Sequence, residues 1–153
     1  MKEPMKLIYL ASPYSHSSTT VEIWRYGEIT RVAAKLHKTH AHAFILPITQ
    51  SHELKAWEPK LGGSFAKWRE RDLFFISRSD EVWVVMMEGW KESVGVTAEI
   101  DYANKKNIPV KYLNPQTLRF KKTTTKKVSN EKLLKIGNYS PIYDDFGTIG
   151  KRG

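Results

Sequence analysis

Lys6-Leu-Ile-Tyr-Leu-Ala11 is a continuous apolar run of strand length, and it ends in the turn sequence Ser12-Pro13-Tyr14-Ser15. A run without polar alternation fits a strand buried on both faces of a parallel sheet. Outward from it, the chain alternates. Thr19-Thr-Val-Glu22 matches the S/T-x-x-E capping box and predicts a helix start, with Val21, Trp24, Val32 and Leu36 along one apolar stripe. His42-Ala-Phe-Ile-Leu46 reads as a second strand stopped by Pro47, and residues 48–63 as a loop closed by Gly62-Gly63. Ser64 is placed to cap a helix running to about Arg78. Glu81-Val-Trp-Val-Val-Met-Met87 is a third strand, rich in β-formers. A polar turn over 88–93 leads into a helix from Val94 to Lys106, ended by Asn107. Pro109-Val-Lys-Tyr-Leu113 makes a fourth strand, and Thr117-Leu-Arg-Phe120 a weaker fifth. The pattern predicts an α/β fold: a Rossmann-like parallel sheet of four to five strands with helices on both faces. Ligands of such sheets bind beyond the carboxyl ends of the strands. That marks two loops, 12–18 and 88–95.

The 153 residues suit one domain, and the absence of cysteine excludes a disulfide framework and a Cys-based zinc site. The net charge of +9 is uneven: residues 114–153 hold nine Lys or Arg against three Asp or Glu. Beyond Phe120 the composition turns polar and basic, as in Lys121-Lys-Thr-Thr-Thr-Lys-Lys127. The expected organisation is a domain over 1–120 and a basic tail over 121–153, flexible or packed on a partner subunit. A basic surface attracts phosphorylated partners, but a solvated tail is the plainer reading, and nucleic acid is not an expected partner. The apolar run over 7–11 is too short for a signal peptide or a membrane span, so a cytoplasmic protein is expected.

Two carboxylates stand out. In Ser93-Val-Gly-Val-Thr-Ala-Glu99, Ser93 occupies a helix N-cap position, and the open amides behind it suit an anion such as phosphate. Gly95 lets a ligand approach the backbone. Glu99, one and a half turns in, leans back toward that N-terminus, close to whatever the amides hold. Spacing alone also fits a solvated surface glutamate, the commoner use of Glu in a helix. Asp72 shares a helical stripe with Phe65, Trp68, Phe75 and Ile76. A carboxylate on an apolar stripe is desolvated and gains the raised pKa of a general acid; pairing with Arg69 or Arg71 is the structural alternative.

Other residues expected to face a substrate are Ser12, Pro13, Tyr14 and Ser15 in the first loop, and His52 in the loop after the second strand. For His52 a surface position is the plainer reading. Trp90 either stacks on a base or covers the sheet edge. His37, His40 and His42 are close together, but no nearby Cys or carboxylate completes a metal set. The chain lacks a P-loop, a G-x-G-x-x-G and a G-x-S-x-G, which argues against a P-loop kinase, a dinucleotide enzyme and an α/β-hydrolase.

Taken in order, Tyr9-Leu-Ala-Ser-Pro-Tyr-Ser15, Arg71-Asp-Leu73 ahead of Ser79-Asp-Glu-Val-Trp-Val, and Ser93-Val-Gly-Val-Thr-Ala-Glu-Ile100 resemble the nucleoside 2-deoxyribosyltransferase superfamily. That superfamily includes the 2'-deoxynucleoside 5'-monophosphate N-glycosidases and a bacterial and phage subgroup that begins with the same Y-L-A-S-P-Y-S run. The resemblance spans Lys6 to about Leu113. It implies a flavodoxin-like sheet of five parallel strands. It makes Glu99 the nucleophile, in the pattern G-x-x-x-E-[IL]-G, with Asp101 standing where the last Gly belongs. It also makes Asp72 the acid that assists the leaving base, and Tyr9 the residue that orients the Glu. Six residues before that Glu, the transferases carry an Asp against the sugar and the monophosphate hydrolases a Ser against the 5'-phosphate; here it is Ser93. Hydrolysis of a (deoxy)nucleoside 5'-monophosphate to free base and sugar 5-phosphate is therefore expected, through a glycosyl-Glu intermediate and without metal or organic cofactor. Base exchange between nucleosides is the alternative, and a non-catalytic nucleotide-binding protein a further one. The basic residues that the hydrolases carry in the first loop are missing. Between Asp72 and Glu99 the chain is longer than in those hydrolases, with the extra residues expected at 87–92. A homodimer or higher homo-oligomer is also implied.

Overall fold

The strands with continuous apolar runs take the centre of the sheet. In the computed structural model, which describes residues 3–122, β1 (Leu7–Ala11) lies between β2 (Ala43–Ile45) and β3 (Glu81–Val85), and β4 (Val110–Leu113) flanks β3. All three pairings are parallel, and the order is β2-β1-β3-β4. Every residue of β3 and four of the five in β1 are buried. The helices are α1 (Thr19–Thr39), α2 (Pro47–Trp57), α3 (Phe65–Ser77) and α4 (Val94–Lys105), with a 3₁₀ turn at Pro59–Leu61.

Alternation along the strands divides the core in two. Ile8, Leu10, Trp83 and Val85 pack with Ile29, Val32, Ala33 and Leu36 of α1. Tyr9, Ala11, Val82 and Val84 face the other way, against Ile76 of α3 and Val96 and Ala103 of α4. The expected α/β sheet with helices on both faces is the observed one. From β1 the chain crosses to β2 on one side, and β3 lies on the other. The gap beyond their carboxyl ends is the switch point at which ligands of doubly wound sheets bind.

Several boundaries differ from the sequence reading. Residues expected as a loop, 48–63, begin instead with a helix, α2. Pro47 stops the strand and also opens this helix, since at a first turn its missing N–H costs nothing and its fixed φ helps. The Thr19 capping box does not form: Ser18 is the N-cap, without a side-chain cap bond, and Glu22 instead accepts from the His16 amide and pairs with Lys55. The buried stripe of α1 holds Arg25 and Ile29, while Trp24 is 49% exposed. Residues 117–120 form no strand. Asn114 accepts the amides of Gln116 and Thr117 through its side chain, and the chain turns back to a single antiparallel bridge, Leu113 to Phe120. The expected tail over 121–153 lies outside the described residues from residue 123 onward. Among the described residues, no helix is long and apolar enough to cross a membrane.

At the end of the sheet away from the switch point, Glu81 is buried and accepts from Lys6 (2.7 Å) and Trp83 Nε1 (2.7 Å), with Lys111 at 2.8 Å. Burial pushes its pKa up, but the hydrogen bonds from Lys111, Lys6 and Trp83 outweigh that and hold it at about 2. A depressed carboxylate stabilises the fold above its unfolded pKa and loses that contribution as pH falls through the folded value. Glu81→Leu leaves the buried Trp83 N–H unpaired and returns two partly exposed lysines to solvent, and is expected to cost about 1–3 kcal/mol. Chemical denaturation at pH 7 and pH 3 checks this, since the gap between parent and variant should narrow at pH 3.

Candidate active site

Tyr9 sits in the middle of β1 and points to the α3–α4 face, where its hydroxyl donates to Glu99 Oε1 at 2.6 Å. Both residues are buried, Tyr9 fully and Glu99 to within 4%. The other carboxylate oxygen, Oε2, has no hydrogen-bond partner. Glu99 is thus not the solvated surface residue that spacing alone allowed. Burial raises its pKa to about 8, the Tyr9 hydrogen bond opposes this, and the charge of Asp72 adds to it. Tyr9 itself is held neutral, raised well above 10 by burial and by the Glu99 and Asp72 charges, so it keeps the proton that it donates to Glu99. Tyr9→Phe removes the one interaction that lowers the Glu99 pKa. The expected result is a Glu99 midpoint above about 8, read from the carboxyl carbon signal in an NMR titration.

Asp72, on α3, is 3% exposed, and both readings of it hold together. Burial raises its pKa, while the Arg71 guanidinium, which donates Nε (2.9 Å) and Nη2 (2.7 Å) to Oδ1, pulls it back. Arg71 is itself fixed: it stacks over the Trp68 ring at 4.3 Å and donates to the Pro47 carbonyl and Gln50.

Asp72 and Glu99 line one cavity of about 410 Å³. Three loops and helix starts form its rim. The first loop contributes Ser12, Tyr14 and Ser15; α3 begins into it with Ser64, Phe65 and Ala66; α4 begins into it with Ser93, Val94 and Gly95. Ser12 is buried with an unpartnered hydroxyl. Ser93 caps α4 by accepting from the Val96 amide at 3.3 Å, which leaves its proton for a ligand. Trp68, Phe65 and Ile48 supply flat or apolar wall. The lining includes three carboxylates, Asp72, Glu92 and Glu99, and no Lys or Arg among the described residues.

The structure corrects the sequence reading at His52 and Pro13, adds a packing role at Gly95, and decides between the two readings of Trp90. Gly95 is small because of α3: a Cβ there would meet the Phe65 ring at 3.2 Å, so the glycine lets the two helices close up as well as opening the rim. His52 lies on α2, not in a loop, and is not in the cavity wall. It stacks on Tyr26 at 3.9 Å and binds the Tyr14 hydroxyl through Nδ1 at 2.8 Å, so it holds a wall residue from behind. Pro13 is buried and outside the lining. Trp90 packs against Tyr112 at 5.5 Å and covers the sheet rather than the cavity. Sequence reasoning missed Ser51, Ile48 and Trp68. The first two lie on α2, which the sequence pattern does not reveal, and for Trp68 the pattern shows only membership of an apolar stripe. Among the described residues, no group of three His, Cys, Asp or Glu is placed to hold a metal ion.

No curated protein matches this sequence. Solved structures similar to it include a 2-deoxyribosyltransferase from the psychrotolerant bacterium Bacillus psychrosaccharolyticus, 20% identical over 71% of this chain and 72% of that one, with a TM-score of 0.46. Residues 6–114, from the first residue before β1 to the turn after β4, match the family model described as a domain of unknown function, DUF1937, and the chain belongs to that family.

Proposed function

We propose that the protein cleaves the N-glycosidic bond of a nucleoside or nucleoside 5'-monophosphate, with Glu99 as the nucleophile. The observation that carries this is the state of Glu99: buried in a ligand-sized cavity, one oxygen fixed by Tyr9, the other unpartnered, and a second buried carboxylate in the same wall. Glu99 Oε2 attacks C1', the C1'–N bond breaks with its electrons going to the base, and Asp72 gives its proton to that base. Water then adds to C1' of the glycosyl ester, returns a proton to Asp72 and frees the Glu99 carboxylate. In base exchange, an acceptor base takes the place of water.

The two carboxylates share one proton between them. Burial raises both carboxyls, Glu99 to about 8, and Arg71 offsets part of the rise only at Asp72, so the shared proton favours Glu99 in the free protein. The reactive form carries it on Asp72 instead. A base bound beside Asp72 accepts a hydrogen bond from it and favours that form. Trp68 and Phe65 offer the base a stacking wall.

The 5'-monophosphate reading rests on Ser93 and the open amides of α4. The acidic, cation-free lining favours the second reading, a free nucleoside with a neutral 5'-hydroxyl. Base release from a panel of nucleosides and their 5'-monophosphates, with and without an added acceptor base, tests both. Release from monophosphates without acceptor supports hydrolysis, release from nucleosides only with acceptor supports exchange, and no release from any member of the panel contradicts the proposal.

A further inference from the structure

Behind the first loop, against the N-terminal turns of α1, lies a second cavity of about 440 Å³. Arg25 forms part of its wall. The residue is 9% exposed, and its guanidinium meets only carbonyls: Nη1 donates to Tyr14 O (3.2 Å) and Ser15 O (2.9 Å), and Nη2 to Glu88 O (3.5 Å). Its Nε has no partner, and among the described residues no carboxylate pairs with it. A buried guanidinium held by dipoles alone is costly, and an anion against it offsets that cost. Gly89, at φ +84°, makes the seat: a Cβ there would come within 2.5 Å of Arg25 Nη2.

The rest of the wall is rich in donors. The Ser18 carbonyl takes the amides of Val21 and Glu22, and the Ser18 side chain makes no cap bond, so at the start of this 21-residue helix the amides of Thr19 and Thr20 are the ones open to an anion. Thr20 adds a hydroxyl. His16 accepts the Ser18 amide at Nδ1 (2.9 Å), which leaves the ring proton on Nε2. Half-exposed Trp24 contributes a flat aromatic surface. Glu88 is the one acidic side chain of the lining, and it is exposed.

We propose that this cavity is a second ligand site, for a small molecule that joins an anionic group to a flat ring, as a nucleotide does. The anion lies against Arg25 and the start of α1, and the ring lies on Trp24. The volume falls within the range of small-molecule sites. Arg25 also holds the carbonyls of Tyr14 and Ser15, whose residues line the candidate active site, so a ligand here bears on the first loop of that site.

The test uses the indole N–H signals of the five tryptophans in an NMR titration. Trp24→Phe identifies the Trp24 signal, and Trp68→Phe that of Trp68 in the other cavity. Adenosine 5'-monophosphate should shift the Trp24 signal saturably, with a Kd below about 1 mM, and adenosine should bind there about tenfold more weakly. Thr20→Glu places a carboxylate in the cavity at a helix position that tolerates one. It should weaken the Trp24 response about tenfold and leave both Tm and any Trp68 response unchanged. A Trp24 signal that stays still, responds equally to adenosine, or responds unchanged in Thr20→Glu overturns the proposal. A response confined to Trp68 also overturns it while leaving the glycosidase reading intact.

Discussion

Glu99→Gln is expected to lower base release by about 10⁴-fold and, at the same time, to make the protein more stable. Both effects follow from the same burial. An amide cannot form the glycosyl ester, so the chemical step is lost. The parent carboxylate has its folded pKa raised from 4.5 to about 8. A carboxyl raised in this way destabilises the fold progressively as pH rises from the unfolded value to the folded one, because the unfolded chain ionises first. Gln removes that penalty. The variant should therefore gain up to roughly 5 kcal/mol over the parent as pH rises past 8, and little at pH 4. Thermal melts of both proteins at the two pH values, alongside base release, check the pair. Loss of activity with gain of stability is the signature of a residue kept for chemistry at a cost to the fold. A Glu99→Gln protein that melts lower than the parent at both pH values would mark a structural residue instead.

Much of this was legible in the sequence, and the reasons are specific. The apolar runs of β1 and β3 are central strands, legible because their length, β-formers and lack of alternation suit a strand buried on both faces. Ser93 and Glu99 came out where the capping rule and the lean of helical side chains put them. What spacing could not decide was whether Glu99 is solvated, because that depends on Tyr9, ninety residues earlier, reaching across from β1. The helix α2 was hidden because its apolar residues have no helical period and its first residue is a proline. His52 was misplaced for the same reason. Arg25 was invisible because a buried arginine on an apolar stripe contradicts the pattern that defines the stripe; only its three carbonyl partners explain it.

Asp72→Asn is the second large effect. Loss of the proton donor should slow base release by about 10²–10⁴-fold. The loss should be greatest for bases that leave poorly as anions and small for an activated glycoside whose leaving group needs no proton. The pH profile gives a further signature. The parent should show a bell, rising as the dyad loses its first proton and falling as it loses the second. In Asp72→Asn the alkaline limb should vanish, and removal of the Asp72 charge should draw the remaining midpoint below about 8. Equal loss for both classes of substrate, with the bell unchanged, would assign Asp72 to holding α3 through Arg71 rather than to proton transfer.

The most direct test of the account is the mass of the enzyme caught in turnover. The protein is mixed with a substrate that the panel identifies, quenched in acid within the first turnovers, and digested. The account predicts a peptide carrying one pentosyl or phosphopentosyl group, with fragmentation placing the group on Glu99, and no such adduct in Glu99→Gln. Base release that proceeds with no adduct on Glu99, and at the parent rate in Glu99→Gln, would contradict it.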